Sequence, residues 1–235
     1  MWTWLISDRS LPYRIAVGVL IFATLAIVDL RRNGSRATRW REYVFLLACV
    51  VAAMTYGIVN DLITSRISPE YFLYFKGALE RVSNDAAMNP EAHRGELDLQ
   101  AVRIGALATW TAGLIAGAFV LVANSLGRWP RLSMRQLAWF VPPIFIAAII
   151  GAIALGVLGA KGGLISLGDF REMVARDEFR PFRLMCVYGI HLGGYAGSLA
   201  GLIAAIALIA RRRRQPFARR ETFSTKDTKD TKKTE

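Results

Sequence analysis

Cysteine and histidine are scarce in this chain, which has only two of each among 235 residues. Cys49 and Cys186 fall in different apolar stretches, near opposite ends of them. A disulfide requires Cα atoms within about 7 Å, so no bridge is predicted and each thiol is expected to pack as a small hydrophobe. The sequence indicates no metal site and no cofactor.

The familiar enzyme signatures are also absent. The chain has no His-Glu-x-x-His, Gly-x-Ser-x-Gly, Walker A or Cys-x-x-Cys motif. It also shows no repeat of 20–50 residues and no inverted pair of span groups. No familiar enzyme class is therefore indicated by a motif, and candidate sites have to be sought among single polar residues.

Long apolar runs dominate the sequence, which is 54% hydrophobic with a mean hydropathy of +0.33. The runs are continuous rather than alternating, and a spanning helix needs about 20 such residues. Five stretches qualify, at residues 12–30, 43–62, 104–126, 138–160 and 184–210. We therefore predict an all-α, polytopic bundle of five spans, with a membrane domain at 1–210 and a basic, disordered tail at 211–235.

The net charge of +12 is concentrated in three segments, at residues 31–42, 127–137 and 211–235. The positive-inside rule places these segments in the cytoplasm, so the N-terminus is predicted outside the plasma (inner) membrane and the C-terminus inside. A cleaved signal or a reversed first span is the alternative, although no small-residue cleavage site follows the first run. The expected partners are the lipid bilayer, anionic lipid at the basic segments, and a second copy or another membrane protein. Nucleic acid is not expected.

The fifth span carries two distinct faces. Glycines repeat at a four-residue spacing, which predicts a flat face for close helix packing, with the glycine pair of the third span as its partner. The row consists of Gly189, Gly193, Gly197 and Gly201, and the pair of Gly113 and Gly117. The opposite face is polar and presents Tyr188, His191, Tyr195 and Ser198. An ionisable group inside a span suggests function, and the alternative is a neutral His191 that bonds to a tyrosine or a carbonyl and locks two helices.

A second group of polar residues follows the end of the second span. Its candidate members are Asn60, Asp61, Thr64, Arg66, Glu70 and Tyr71. Two carboxylates here could bind a hard cation or perform acid–base chemistry. The alternative is structural: Asp61 lies at the unfavourable end of a helix dipole, so Arg66 is expected to pair with it or with Glu70.

Both outer loops are predicted to form short amphipathic helices. Ser68-Pro69-Glu70 is typical of a helix start, and apolar residues then follow at helical spacing. These residues are Phe72, Phe75, Leu79 and Val82. In the second loop a capping box, Asp169 with Glu172, precedes Phe170, Met173 and Val174.

The stretch from Asn60 to Phe72, together with His191 and Tyr195, resembles a family of uncharacterised bacterial multi-pass integral membrane proteins. That family has an Asp-x-x-Thr…Glu-Tyr-Phe segment, often followed closely by Gly-His-Pro. This chain has Phe75-Lys76-Gly77 there and lacks that histidine. The resemblance implies a multi-pass membrane fold and brings no established activity.

Three classes of function follow from these observations. A structural, assembly or sensor membrane protein is the leading hypothesis. The alternatives are a small-solute or ion permease lined by Tyr188, His191 and Tyr195, and a membrane-embedded enzyme that uses Asp61, Glu70 and His191 at an outer-facing site. Convergence of the last three side chains on a cavity would favour chemistry or transport, and their dispersal would favour a scaffold.

Overall fold

The structure is a computed structural model that describes residues 11–34, 37, 39–166, 168–169 and 180–230, with side chains from residue 17 to 215 of these ranges except Val19. Seven α-helices follow one another within these ranges: α1 Leu11–Asn33, α2 Arg39–Ile67, α3 Asn84–Met88, α4 Arg94–Ser125, α5 Met134–Ala138, α6 Pro142–Ala160 and α7 Pro181–Asp230. A π-helical turn, Tyr71–Phe75, and a 3-10 turn, Leu79–Arg81, lie between α2 and α3. The described residues contain no strand, which confirms the all-helical prediction.

In the part of the chain that the structure describes, four helical segments are long and apolar enough to cross a membrane. They are α2, α4, the segment Met134–Ala160 formed by α5 and α6, and the part of α7 at Pro181–Gln215. Each corresponds to one predicted span. Helix α4 ends at Ser125, one residue before the predicted end at 126, and α6 begins at Pro142, shortly after the predicted start at 138. The first predicted span lies in α1, and the count of five spans stays a prediction. Helix α7 continues past residue 210 to Asp230. The domain division at 210 and the disorder of the tail stay predictions.

The first compact unit, Met1–Ala48, contains α1 and the start of α2. Asp29 is buried, and its carboxylate accepts hydrogen bonds from the Asn33 side chain at 2.7 Å and from the Arg39 backbone N–H at 2.9 Å. The second bond satisfies a free N–H at the start of α2, where the helix dipole favours a negative charge. Gly34, with a φ of +53°, makes the turn between the two helices. Asp29 therefore fixes how α1 leads into α2.

The second unit, Cys49–Glu235, contains two closely packed helix pairs. In the pair of α2 and α4, a Cβ on Gly105 would lie 2.8 Å from the backbone nitrogen of Ile58. In the pair of α6 and α7, a Cβ on Gly193 would collide with the carbonyl oxygen of Gly151. A Cβ on Gly151 would likewise collide with the carbonyl oxygen of Gly193. Backbones this close leave no room for a side chain at these positions.

The glycine row of α7 thus lies against α6 instead of the third predicted span. Gly189 and Gly197 face the carbonyl oxygens of Leu155 and Ala147, both in α6. Gly113 of α4 faces α2, where its Cβ would lie 2.7 Å from that of Ala53. The expected pairing of the two glycine rows is therefore wrong. The row of α7 and Gly113 of α4 both allow close approach, but each has a different neighbour.

The outer loop after α2 differs from the single amphipathic helix predicted for it. Phe72 is fully buried in a cluster that includes Leu97 of α4, and Val82 packs against it. Phe75 and Leu79, expected on the same face, are 47% and 40% exposed. Gly77, with a φ of +68°, interrupts the helical path between Phe75 and Leu79, so one continuous apolar face does not form.

The predicted helix of the second outer loop falls largely on residues that the structure does not describe. Asp169 is described, and its carboxylate accepts a hydrogen bond from the Ser166 hydroxyl at 2.6 Å. The other residues of that prediction, Phe170, Glu172, Met173 and Val174, lie outside the described ranges.

Candidate functional site

Two ionisable residues from distant parts of the chain meet near the end of α2. The Oδ1 atom of Asp61 lies 3.8 Å from Nε2 of His191 on α7, and these side chains are 4% and 6% exposed. The Asn60 amide nitrogen lies 3.5 Å from His191 Nδ1 and donates to Asp61 Oδ1 at 3.4 Å. We refer to Asp61 and His191 as the buried pair.

The buried pair has hydrogen-bonding capacity that the protein does not use. Because the Asn60 amide can only donate, His191 Nδ1 acts as the acceptor and the ring proton is assigned to Nε2, facing Asp61. The 3.8 Å separation is too long for a hydrogen bond. Asp61 Oδ2 and His191 Nε2 are both buried without a hydrogen-bond partner among the described residues. Such an unsatisfied group costs about 1–3 kcal/mol, so its presence calls for an explanation.

Aromatic rings from the π-helical turn hold the imidazole in place. The Tyr71 ring stacks on His191 with centroids 5.0 Å apart and planes 13° apart, and Phe75 stacks on Tyr71 at 5.7 Å. The Lys76 ammonium lies 5.9 Å from the Tyr71 ring centroid, within reach of a cation–π interaction. Burial raises the pKa of Tyr71 above its usual range, so its hydroxyl stays neutral.

A cavity of about 230 Å³ lies between α2, α4, α6 and α7, and the buried pair is part of its wall. Asn60, Lys76 and the buried pair form one end of it, which we call the polar end. Tyr56 and Tyr195, one helical turn from Asn60 and His191, belong to this end as well. Most of the remaining wall is apolar and made of small side chains, and we call it the apolar shaft. Its lining residues include Cys49, Ala53, Ala112, Ala116 and Val120.

The hydroxyl groups along the apolar shaft are already used within their own helices. Thr109 donates to the carbonyl oxygen of Gly105 at 2.7 Å, and Ser198 donates to that of Gly194 at 2.6 Å. Both residues line the cavity. The unsatisfied polar atoms of the cavity wall therefore belong to the polar end.

The structure brings together part of the predicted site. Asn60, Asp61, His191 and Tyr195 line the cavity, and Tyr71 covers His191. Thr64 is fully buried, but its hydroxyl donates to the carbonyl oxygen of Asn60 at 2.8 Å and so serves the helix itself. Tyr188 is 37% exposed and is not part of the described cavity wall.

Arg66 and Glu70 have partners other than those expected. Arg66 forms an ion pair with Asp98 of α4 at 2.9 Å, in place of one with Asp61 or Glu70. Glu70 accepts a hydrogen bond from the Ser68 hydroxyl at 2.7 Å. Asp98 lies 32 residues beyond Arg66, and only the packing of α4 against α2 brings it within reach. Asp61 is thus left without the cation that the sequence suggested.

Lys76 and Tyr56 line the cavity, but neither is among the site residues predicted from the sequence. Lys76 belongs to the Phe75-Lys76-Gly77 segment, the position at which the chain departs from the family pattern, and that departure is the one available signal. Tyr56 lies one helical turn before Asn60, and that helical spacing is the sequence signal for it. The described residues include no group of three or more His, Cys, Asp or Glu side chains that could hold a metal ion.

Comparisons of this chain with protein-family models, with curated proteins and with solved structures find no match. Any inference about function therefore depends on the geometry of the cavity.

Proposed function

We propose that this chain is a five-span protein of the bacterial plasma (inner) membrane that binds a small molecule within its helical bundle and acts as a sensor. The four apolar helical segments support a multi-pass membrane protein. The basic segments support an outer N-terminus, a cytoplasmic C-terminus and contact with anionic lipid. A second copy or another membrane protein would receive the signal.

The observation that carries this proposal is the cavity with the buried pair in its wall. Its volume of about 230 Å³ exceeds the roughly 150 Å³ of an apolar cavity that holds benzene, and it is below the roughly 300 Å³ at which drug-sized sites begin. A purely structural bundle gains nothing from two buried, unsatisfied polar atoms beside such a space. A bound molecule that satisfies them would account for both features.

A permease is the second candidate, because His191 and Tyr195, two of its three predicted lining residues, do line the cavity. Transport requires a path to both surfaces, and five spans without a repeat would need an oligomer to provide it. The enzyme hypothesis receives less support. It relies on three converging groups, and Glu70 is bonded to Ser68 instead of joining the buried pair.

The proposal is tested by native mass spectrometry of the protein purified from membranes in mild detergent. Ala116 lines the cavity, whereas Ala118 on the same helix is exposed and is not part of the described wall. Wild type and Ala118→Phe are expected to carry a co-purifying small molecule, and Ala116→Phe is expected to lose it because the new ring fills the cavity. A wild type without any such molecule, or an equal amount in all three proteins, contradicts the proposal.

A further inference from the structure

The shape of the cavity limits what can occupy it. Its wall includes residues 49–61 of α2 and 108–120 of α4, and each of these segments runs for more than three helical turns. A compact cavity of the same volume would extend along fewer than two turns of such a helix. The cavity is therefore elongated along the helices. An extended chain fits this shape better than a compact ring system.

The chemistry of the wall changes along the long axis of the cavity, from the polar end to the apolar shaft. Along the apolar shaft the two described hydroxyls, Thr109 and Ser198, are bonded to their own helices. Free hydrogen-bonding atoms occur at the polar end, on Asp61 Oδ2 and His191 Nε2. A molecule that matches this pattern has a hydrocarbon tail and one small polar head.

The charged residues at the polar end determine which kind of polar head group the ligand can have. Asp61 contributes a carboxyl and Lys76 an ammonium to the same end of the cavity. A singly charged head of either sign would meet one like and one opposite charge here, so the repulsion offsets the attraction while the head still loses the hydration of its charge. A neutral head avoids that desolvation cost. Because Asp61 Oδ2 accepts and His191 Nε2–H donates, the head should be both donor and acceptor, as a hydroxyl is.

We propose that the cavity binds a single-chain, long-chain alcohol, with its hydroxyl between Asp61 and His191 and its tail in the apolar shaft. The hydroxyl donates to the Asp61 carboxyl group and accepts from the His191 imidazole. The alcohol would reach the site from the bilayer, because three lining residues, Ala108, Ala112 and Tyr195, are exposed and the cavity is not sealed. This assignment rests on the proposed function and names the class of its ligand.

Photolabelling of the full-length protein in lipid nanodiscs tests the assignment. Two analogues of dodecan-1-ol are used, one with a diazirine beside the hydroxyl and one with a diazirine near the chain end. The first is expected to label peptides around residues 56–61 and 191–195. The second is expected to label peptides around residues 49–53 or 116–120. Ala116→Phe should abolish both patterns, and Ala118→Phe should keep both.

Competition with unlabelled molecules of equal chain length tests the head group. Dodecan-1-ol is expected to displace the probes at a concentration at least tenfold lower than dodecylammonium, dodecanoate or dodecane. His191→Phe keeps an aromatic ring against Tyr71 but removes the donor, so it should raise the dodecan-1-ol concentration required at least tenfold. The melting temperature of each variant is measured alongside, and one that does not fold is replaced by Asp61→Asn.

The outcomes separate this assignment from the proposed function. One outcome is that Ala116→Phe abolishes the labelling, but dodecylammonium or dodecanoate displaces the probes more readily than dodecan-1-ol. This result overturns the assignment of an alcohol as the ligand and keeps the proposal of a binding cavity. Reversed positions of the two labels overturn the orientation. Labelling that Ala116→Phe does not affect, together with a wild type that carries no molecule in native mass spectrometry, overturns both proposals.

Discussion

Arg213 lies in a run of four arginines, residues 211–214, that the sequence presents as one basic stop-transfer signal. In the structure its three neighbours are exposed, whereas Arg213 is 3% exposed. Its guanidinium donates at 2.7 to 3.1 Å to backbone carbonyl oxygens at and beyond the end of α4. These belong to Ala123, Leu126, Trp129 and Pro130. A cation is favoured at a helix C-terminus, where the last carbonyls lack partners within the helix.

Replacing Arg213 by glutamine is expected to destabilise the protein strongly. The change leaves several carbonyl oxygens without their donor, with a loss on the order of 3 kcal/mol. Arg214→Gln is the matched control, since it removes the same charge from an exposed position of the same run. Thermal unfolding in detergent measures both. Equal melting temperatures for the two variants would show that the bonds to α4 contribute little.

His191 poses the opposite case, a buried residue whose polar atoms are not all satisfied. Its position within the fifth span indicated function, and its neighbours could not be foreseen. Asp61 belongs to a distant part of the sequence, and Tyr71 reaches the ring from a loop. We expect His191→Phe to preserve the stack on Tyr71 and to remove an unsatisfied nitrogen, so that its free energy of unfolding should equal or exceed that of wild type.

His191→Ala provides the comparison for this prediction. It removes the ring as well as the nitrogens and leaves a void beside Tyr71, so it should lower the melting temperature. Chemical or thermal unfolding of the three proteins gives the order. If His191→Phe is as unstable as His191→Ala, the imidazole nitrogens stabilise the bundle and the buried pair has a structural role.

At the scale of elements, the apolar runs were sufficient to predict helices at 43–62, 104–126, 138–160 and 184–210. They were not sufficient to predict which helices pair. A span is apolar on nearly all sides because lipid is as apolar as a neighbouring helix, so hydrophobic periodicity does not mark the contact face. Small residues do mark possible faces, but Gly113 could as well face α7 as α2. The loop after α2 departs from one continuous helix for a local reason, the positive φ of Gly77.

Substitution of Gly193 tests the pairing of α6 with α7. A leucine side chain there would have to displace the backbone of Gly151, and overpacking of this kind costs about 1–3 kcal/mol. Ala196→Leu places the same side chain on an exposed face of the same helix and should leave the melting temperature nearly unchanged. A Gly193→Leu variant that melts with wild type would remove the glycine row from the contacts that stabilise the bundle.

At the scale of the whole molecule, the number of spans determines whether the two termini lie on the same side of the membrane. An even number places them on the same side, and an odd number places them on opposite sides. If all four candidate spans cross the membrane, they return the chain to the side on which α2 begins. The start of α2 and the end of α7 are then expected on the same side, and the basic segments at 31–42 and 211–214 agree in predicting the cytoplasm for both. Neither position shows whether α1 is a fifth span. Only the location of residues before α1 does.

We therefore expect three reporter positions to give different information. A reporter in the loop at 79–93 should be outside and one after residue 215 should be cytoplasmic, whether the chain has four spans or five. A reporter before Leu11 should be outside if α1 spans the membrane, and cytoplasmic if it does not. The mass of the mature protein is measured alongside, because a cleaved signal would remove the first reporter while the other two stay in place. Only an intact chain with an outer N-terminus agrees with five spans. A first span of reversed orientation would place the N-terminus in the cytoplasm and the start of α2 outside, which contradicts the prediction.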